Sequence, residues 1–304
     1  MPDLRGKYQS NTTLFATLGT EPQVVTAFVD LMARQGILID SLHILHTTGG
    51  DARIDQATET LRLEFSGSQS ILFQTHFHAI TNANGSPYPD VDTPESVEAF
   101  FRLLYLLIWQ EKQANHLVHV CIAGGRKTMS VYGMSAAQLL FDERDRLWHL
   151  FSAGTFLESK RLHPQAGDDV RLVPIPVIPW SSLSPVFTNL SSIQDPYTAL
   201  DQVLRLRLRE RYDEARIFVI SLLTPAEQRV VRLLAMEGLS DQEIAERLVV
   251  SPRTVEQQLR SAYAKAEEHW QVEKITRTQL IALLQYFFST QIGENPHDKP
   301  MRSS

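Results

Sequence analysis

Two glycine-containing segments have the residue types and spacing to hold an anion. They are Leu18-Gly19-Thr20-Glu21-Pro22-Gln23 and Ala123-Gly124-Gly125-Arg126-Lys127-Thr128-Met129-Ser130. Each follows an apolar run typical of a strand and precedes a pattern typical of a helix. Such a junction points backbone N–H groups and the positive end of the helix at a phosphate. A tight turn with surface cations is the alternative, but two junctions in one sheet favour a phosphate site.

The side chains at these junctions and at one further strand end complete the predicted site. Glycines allow close backbone approach, hydroxyls donate hydrogen bonds, and the neighbouring arginine and lysine supply positive charge. Neither segment has the full G-x-G-x-x-G pattern of dinucleotide-binding folds, and neither is a P-loop. The predicted ligand-binding residues are Gly19, Thr20, Thr48, Gly124, Gly125, Arg126, Lys127 and Thr128.

The other polar and reactive side chains predict no metal site and no cofactor. His76 and His78 alternate along a strand end without a third ligand at convincing spacing, so we interpret them as ordinary polar residues. Cys121 is the only cysteine, and its apolar neighbours predict a buried strand residue. The acidic residues interpreted as a solvated helix face are Asp51, Asp55 and Glu64.

The C-terminal part of the chain has the signals of short, capped helices. Thr224-Pro225-Ala226-Glu227 and Ser240-Asp241-Gln242-Glu243 are capping boxes, and Ser251-Pro252 begins a third helix. A tight turn between the second and third helices predicts a helix-turn-helix, whose last helix contacts duplex DNA. The residues predicted to contact DNA are Ser251, Arg253, Thr254, Gln257 and Arg260.

The alternation of strand and helix signals along the first 180 residues predicts an α/β fold with a mostly parallel sheet. Ser70–Thr75 is predicted to be the third strand, and the alternating Pro174, Pro176 and Pro179 place the last strand at a sheet edge. An all-α helix-turn-helix domain follows. The formal net charge of −6 argues against a broad basic surface, so any DNA contact must come from a local patch.

The chain is long enough for two domains, each with its own core. The predicted ranges are 12–180 for the ligand-binding domain, 181–219 for a linker and connecting helix, 220–290 for the helix-turn-helix domain, and 1–11 and 293–304 for flexible tails. No stretch reaches the roughly 18 to 20 apolar residues of a membrane helix, and the N-terminus lacks an apolar signal core. The expectation is a cytoplasmic protein without a membrane partner.

The two glycine segments, with the strand Leu14-Phe15-Ala16-Thr17 before the first, resemble the CARF domains of type III CRISPR systems. The branch that includes ring nucleases is the most similar, and the resemblance covers residues 12 to 180. It implies a Rossmann-like domain that forms a two-fold homodimer and binds cyclic oligoadenylate, most often the four-membered ring, across the dimer axis. A ring of repeated units suits an interface with the same symmetry.

The same resemblance implies a metal-independent ring nuclease, in which a ribose 2′-hydroxyl attacks the adjacent phosphate. Lys127 matches the family's functional lysine, and the hydroxyl residue of the first motif corresponds either to Thr20 or to the position of Glu21. At that position Glu21 would act as a general base or would repel phosphate and weaken turnover. The implied catalytic residues are therefore Lys127, Thr20 and Glu21.

The C-terminal segments Leu223–Glu227, Gly238–Ala245 and Ser251–Glu256 resemble the LuxR/GerE-type DNA-binding domain, in which the third helix enters the major groove. The chain departs from that family at Glu256, where a basic residue is usual, and at Gln258, where histidine is frequent. A carboxylate near DNA phosphates opposes the electrostatic attraction that supplies most of the affinity. DNA binding is predicted, with a protein-protein or dimerisation role as the alternative.

Together these features predict a dimeric cyclic-oligoadenylate sensor of type III CRISPR defence with a DNA-binding, transcription-regulating output and possible ring nuclease activity. One alternative is primarily a ring nuclease that degrades the messenger, with the helix-turn-helix used for assembly. Another is a transcription factor that senses an unrelated nucleotide.

Overall fold

The computed structural model describes residues 11–66, 72–180 and 192–293. The chain divides into two compact units, Met1–Val203 and Leu204–Ser304. Nearly all of the predicted tails and residues 181–191 of the predicted linker lie outside the described residues, so the domain ranges taken from the sequence stay a prediction. Among the described residues, no helix combines the length and the apolarity needed to cross a membrane.

The N-terminal unit alternates strands and helices around one six-stranded sheet, which confirms the predicted α/β, Rossmann-like fold. The strand order is β3-β2-β1-β4-β5-β6, and β6 alone is antiparallel to its neighbour. The elements are β1 Thr12–Thr17, α1 Gln23–Arg34, β2 Ser41–His46, α2 Ala52–Ser66, β3 Gln74–Ala79, α3 Pro94–Gln113, β4 Leu117–Cys121, α4 Lys127–Leu140, β5 Arg146–Ser152, α5 Gly154–Glu158, β6 Val170–Ile175 and α6 Pro196–Ile217, within which the boundary between the units falls.

The central strands β1 and β4 are adjacent although β2 and β3 separate them in the sequence. They pair in parallel from Thr12 opposite Leu117 to Ala16 opposite Cys121. The chain leaves β1 toward one side of the sheet and leaves β4 toward the other, so the order of strands reverses between them. Ligands of open α/β sheets bind in the crevice beyond the carboxyl ends of such strands.

Buried apolar side chains explain why β1 and β4 form the centre of the sheet. Every residue of β1 is buried, as expected for a parallel strand covered by helices on both faces. Leu14 and Phe28 belong to the core on the α1 side, and Cys121 lies in the same core. Burial raises the pKa of the Cys121 thiol to about 12, so the predicted buried, unreactive cysteine is confirmed.

The prediction for the third strand is wrong by about four residues, whereas the edge-strand prediction is confirmed. The apolar residues Ile71-Leu72-Phe73 favoured Ser70–Thr75, but β3 is Gln74–Ala79 because its pairing with β2 sets the register. Pro174 lies in β6, at the edge of the sheet, where a residue without an N–H is tolerated.

Three imidazoles lie together on one face of β2 and β3. The His43 ring stacks on His78, with His78 Nε2 3.1 Å from His43 Nδ1, and its centroid is 4.8 Å from that of His76. Burial first, and then the like charges of His78 and His76, lower the pKa of His43 to about 4, although Glu111 on α3 acts in the opposite direction. The folded chain therefore favours the neutral imidazole.

This cluster predicts a loss of stability in mild acid. Between pH 6.5 and 4 the unfolded chain binds a proton that folded His43 does not, so the free energy of unfolding falls as the pH falls. We expect His43→Gln to remove about 2 kcal/mol of this dependence, measured by urea unfolding from pH 4.5 to 7.5. Parallel pH profiles for the wild type and the variant would contradict the expectation.

The C-terminal unit is all-α, as predicted. A π-helical turn, Phe218–Leu222, precedes α7 Pro225–Glu237, α8 Asp241–Leu248, α9 Pro252–His269 and α10 Arg277–Gly293. Thr224 and Ser240 cap α7 and α8 through the predicted capping boxes, and Ser251 caps α9. The apolar stripes of these helices meet in one core. Its largest fully buried residues are Phe218 and Phe287.

Glu227 joins α7 to α9 inside this core. Only 5% of the residue is exposed, and its carboxylate accepts hydrogen bonds from the Thr224 N–H and from Lys265 Nζ, both at 2.7 Å. Burial acts against the charged form, but hydrogen bonds from Lys265, Ser261 and Thr224 outweigh it and lower the pKa of Glu227 to about 2.

Glu227→Ala is expected to destabilise the helix-turn-helix unit by about 2 kcal/mol, because a buried ion pair and a cap are lost together. Glu243 is a matched control: it occupies the same capping-box position of α8 but is exposed. Its replacement by alanine should destabilise the unit less than Glu227→Ala does. Hydrogen exchange of peptides from 225–237 in the full chain measures both effects. Equal effects of the two variants would show that the buried contact with Lys265 adds nothing.

Candidate functional site

The two glycine loops touch each other beyond the carboxyl ends of β1 and β4. The Thr17 hydroxyl donates to the carbonyl oxygen of Gly124 at 2.6 Å. A Cβ on Gly19 would lie 2.9 Å from the nitrogen of Gly125, and a Cβ on Gly124 would lie 1.9 Å from the carbonyl oxygen of Thr17. The loops could not approach this closely with side chains at Gly19 and Gly124. The structure therefore brings the two predicted segments together.

Two side chains at this junction are free to meet a ligand. Lys127 is the first residue of α4 and is exposed, and Thr20 is half-buried in the loop after β1. Within the part of the chain that the structure describes, neither side chain has a hydrogen bond or an ion pair. The first N–H groups of α4 have no acceptor inside the helix, so the lysine stands at the positive end of a helix dipole.

Arg126, the other predicted cation, is already paired. Its guanidinium binds both carboxylate oxygens of Asp90, with Nε 2.7 Å from Oδ1, although the arginine side chain is 61% exposed. Thr128 is engaged as well, because its hydroxyl donates to the carbonyl oxygen of Val91 at 3.2 Å. A segment between β3 and α3 thus reaches the start of α4.

Glu21 is held in place by a cation from a distant part of the chain. Lys160 Nζ lies 2.7 and 2.8 Å from its two oxygens, and the Gln23 amide donates to one of them at 2.8 Å. Three hydrogen bonds therefore occupy the carboxylate. Any ligand near Thr20 would meet this pair as a dipole and not as a free negative charge.

The three acidic residues interpreted as a solvated helix face are partly exposed, and each has a partner in the described structure. Asp55 accepts from the Thr48 hydroxyl at 2.5 Å and from the Gly49 N–H at 3.2 Å, so it organises the loop after β2. Asp51 accepts from Arg53, and Glu64 accepts from His163, 3.1 Å away. The Thr48 hydroxyl is thereby committed to its own loop.

Sequence reasoning missed Asp90 and Lys160, which control the charge of the site. Both act across long separations: Asp90 precedes Arg126 by 36 residues, and Lys160 follows Glu21 by 139. The polar, turn-rich sequence before α3 indicates a loop, but it does not indicate that this loop contacts the start of α4. In the described residues no group of three or more His, Cys, Asp or Glu side chains is arranged to hold a metal ion.

A family model described as CRISPR-associated protein NE0113 matches residues 21–208, more than half of the chain. The chain belongs to this family. The matched range contains the second glycine loop, Lys127 and the Asp90 segment. Gly19 and Thr20 of the first loop precede the matched range, so the match covers the part of the candidate site that follows residue 20.

This NE0113 family member adds a second candidate site on α9. Arg253 and Gln257 are exposed on the same side of the helix and have no partner among the described residues. Ser251 and Thr254 bond to each other, with 2.8 Å between the hydroxyls, and the Thr254 N–H donates to the Ser251 hydroxyl, so these two residues cap the helix. Cap hydroxyls and amides at a helix start are groups that contact phosphates in helix-turn-helix complexes.

Arg260, the remaining residue predicted to contact DNA, forms an ion pair with Glu256 at 2.7 Å. Both side chains are more than half exposed, so the pair is weak and DNA could exchange it. The exposed face of α9 nevertheless has less positive charge than its arginines suggest.

Comparisons identify this second unit as a helix-turn-helix. A family model for sigma-70 region 4 matches residues 218–265. HTH-type transcriptional regulators of Mycobacterium tuberculosis and Mycobacterium bovis are 60% identical over 43 residues, which is 14% of this chain and 5% of each regulator. The chain thus spans about a twentieth of the curated relatives it matches. The chain therefore combines a CRISPR-associated domain with a helix-turn-helix domain.

Proposed function

We propose that this CRISPR-associated protein senses a cyclic oligoadenylate at the β1–β4 crevice through a CARF-type domain and transmits the signal to DNA through a LuxR-like helix-turn-helix. The single observation behind the proposal is the contact between the glycine loops, with Lys127 unpaired at the start of α4. Close-packed backbone N–H groups, a helix N-terminus and a free ammonium together suit a phosphodiester. The adenylate ring is the anion implied by the family resemblance.

The proposed DNA binding is assigned to the exposed face of α9 in the helix-turn-helix domain. In this proposal Arg253 and Gln257 contact the edges of bases, and the cap at Ser251 contacts phosphate. Ring binding changes DNA affinity only if the two dimer arrangements bind the ring with different affinities, because equal binding shifts no equilibrium. We propose a homodimer, since a symmetric ring matches a two-fold axis.

The second candidate is primarily a ring nuclease whose helix-turn-helix serves assembly. In this reaction the ribose 2′-oxygen bonds to the adjacent phosphorus, the 5′-oxygen leaves and takes a proton, and a 2′,3′-cyclic phosphate forms. Lys127 would stabilise the charge on the phosphoryl oxygens, and Thr20 would donate to the same group. The ion pair between Glu256 and Arg260 favours this candidate, because it reduces the charge that α9 offers to DNA.

Incubation with cyclic tetra-adenylate in the presence of a chelator tests the proposal. At a free ring concentration of a hundred times the Kd, binding should raise the free energy of unfolding by about 2.7 kcal/mol, which is measured as a rise in Tm. Recovery of the intact ring after hours supports a sensor, whereas linear product with a cyclic phosphate end supports the nuclease. No stabilisation by cyclic rings of three to six adenylates would reject both. Linear tetra-adenylate is the matched control.

The DNA output is tested on the chain's own promoter region. We expect an electrophoretic shift at low salt whose affinity falls linearly on a plot of log K against log salt concentration, because released counterions drive binding. A shuffled duplex of the same length measures non-specific affinity. Absence of a shift at low salt, with and without the ring, would leave assembly as the role of the helix-turn-helix.

A further inference from the structure

One segment of the chain touches both sides of the candidate ligand site. Residues 88–92 lie between β3 and α3, and the Tyr88 carbonyl oxygen accepts from the Thr48 N–H at 3.3 Å. At its other end the Val91 carbonyl accepts from the Thr128 hydroxyl at 3.2 Å. The segment thereby spans from the loop after β2 to the start of α4, next to Lys127.

Asp90, in the middle of this segment, occupies the guanidinium of Arg126 in the way that a phosphodiester would. The carboxylate presents two oxygens to the arginine fork, and planar bidentate binding is the geometry that arginine also uses for phosphate. Arg126 precedes Lys127 directly and occupies the N-cap position of α4, without a capping hydrogen bond from its side chain. The two cations of the second glycine segment thus differ: Lys127 is free, and Arg126 is bound to an anion of the chain itself.

The segment does not depend on this ion pair for its shape. The bonds from Thr48 and Thr128 hold its backbone, and a turn held by the Asn82 side chain and a bridge between Thr81 and Pro87 precede it. The Asp90 side chain is 22% exposed, and that of Arg126 is 61% exposed. A ligand phosphate can therefore reach the guanidinium from solvent.

We infer that Asp90 is an intramolecular competitor for the anionic ligand. Without ligand its carboxylate holds Arg126, and a ligand phosphate must displace it to bind both Arg126 and Lys127. The exchange sets the affinity threshold of the sensor and frees the Asp90 carboxylate when the site fills. This inference rests on the proposed function, because it assumes that the crevice binds a phosphorylated ligand.

Asp90→Asn tests the inference through the Kd for cyclic tetra-adenylate in the full chain. The Asp90–Arg126 pair has the strength of an ordinary exposed ion pair. Its removal raises the fraction of molecules in which Arg126 is free to bind the ligand, so we expect binding about fivefold tighter. Asp51→Asn is the matched control. It removes the same charge near Arg126 but leaves that guanidinium bound to Asp90, and it should change the Kd less than twofold.

A double-mutant cycle isolates the contact. In an Arg126→Gln background, Asp90→Asn should no longer tighten binding, because no guanidinium remains to be released. Weaker or unchanged binding by Asp90→Asn, or equal tightening by Asp51→Asn, would overturn the inference while leaving the proposed function intact. If neither the wild type nor Asp90→Asn bound the ring, the proposed function itself would fall, and the inference with it.

Discussion

Lys127→Ala is expected to lower turnover of cyclic tetra-adenylate at least about a hundredfold, or to weaken its binding about tenfold or more if the ring is not cleaved. Lys127 is the cation at the crevice that no carboxylate of the described chain neutralises, and it stands at the positive end of α4. Its charge acts on a phosphate without first breaking an internal ion pair. We therefore expect removal of the Lys127 side chain to reduce binding or turnover more than removal of the Arg126 side chain does.

Two further variants separate charge from shape. Lys127→Met keeps the aliphatic stem and should behave like the alanine variant, whereas Lys127→Arg keeps the charge and should lose less than about tenfold in affinity. Because the side chain is exposed and unpaired in the described structure, none of these changes should alter the free energy of unfolding by more than about 0.5 kcal/mol. Full binding and turnover by Lys127→Met would contradict the assignment. The measurements are isothermal titration and chromatographic separation of ring from linear product.

Gly124→Ala is expected to destabilise the N-terminal unit by roughly 3 kcal/mol and to abolish ligand binding. The added Cβ would lie 1.9 Å from the carbonyl oxygen of Thr17, and backbone atoms cannot rotate away as a side chain can. β1 and β4 would have to separate at their carboxyl ends, where the two glycine loops meet. The hydrogen bond from Thr17 to Gly124 would be lost with the same movement.

Gly167→Ala is the matched control for Gly124→Ala. Gly167 has a φ of 98° in an exposed loop, and a Cβ there meets no atom within 4 Å. The change therefore adds backbone strain of about 1 kcal/mol without a clash, and it should leave ligand binding unchanged. Thermal unfolding with and without cyclic tetra-adenylate measures both consequences. A Gly124→Ala protein that melts like the wild type and still gains stability from the ring would refute the close-contact description of the site.

The fold could be predicted well wherever local chemistry decides it. For example, the sequence Asp92-Thr93-Pro94 predicts a helix from Pro94 to about Gln113, and α3 has these bounds because the Thr93 cap and the proline in the first turn define its start. The capping boxes of α7 and α8 are equally local. The position of β3 was missed because a strand's register depends on its neighbour, and the apolar residues before it indicated a different segment.

The sequence by itself determined the two glycine loops, the neighbouring cations Arg126 and Lys127 and the helix-turn-helix, because each follows from residues within a few positions of one another. Only the tertiary structure decided the charge state of the candidate site. Arg126 is bound to Asp90, Glu21 to Lys160 and Arg260 to Glu256, and the first two pairs join residues far apart in the chain. Electrostatic partners are chosen by distance in space, which a linear pattern does not contain. Of the two neighbouring cations of the second glycine segment, only Lys127 therefore stays unpaired within the described structure.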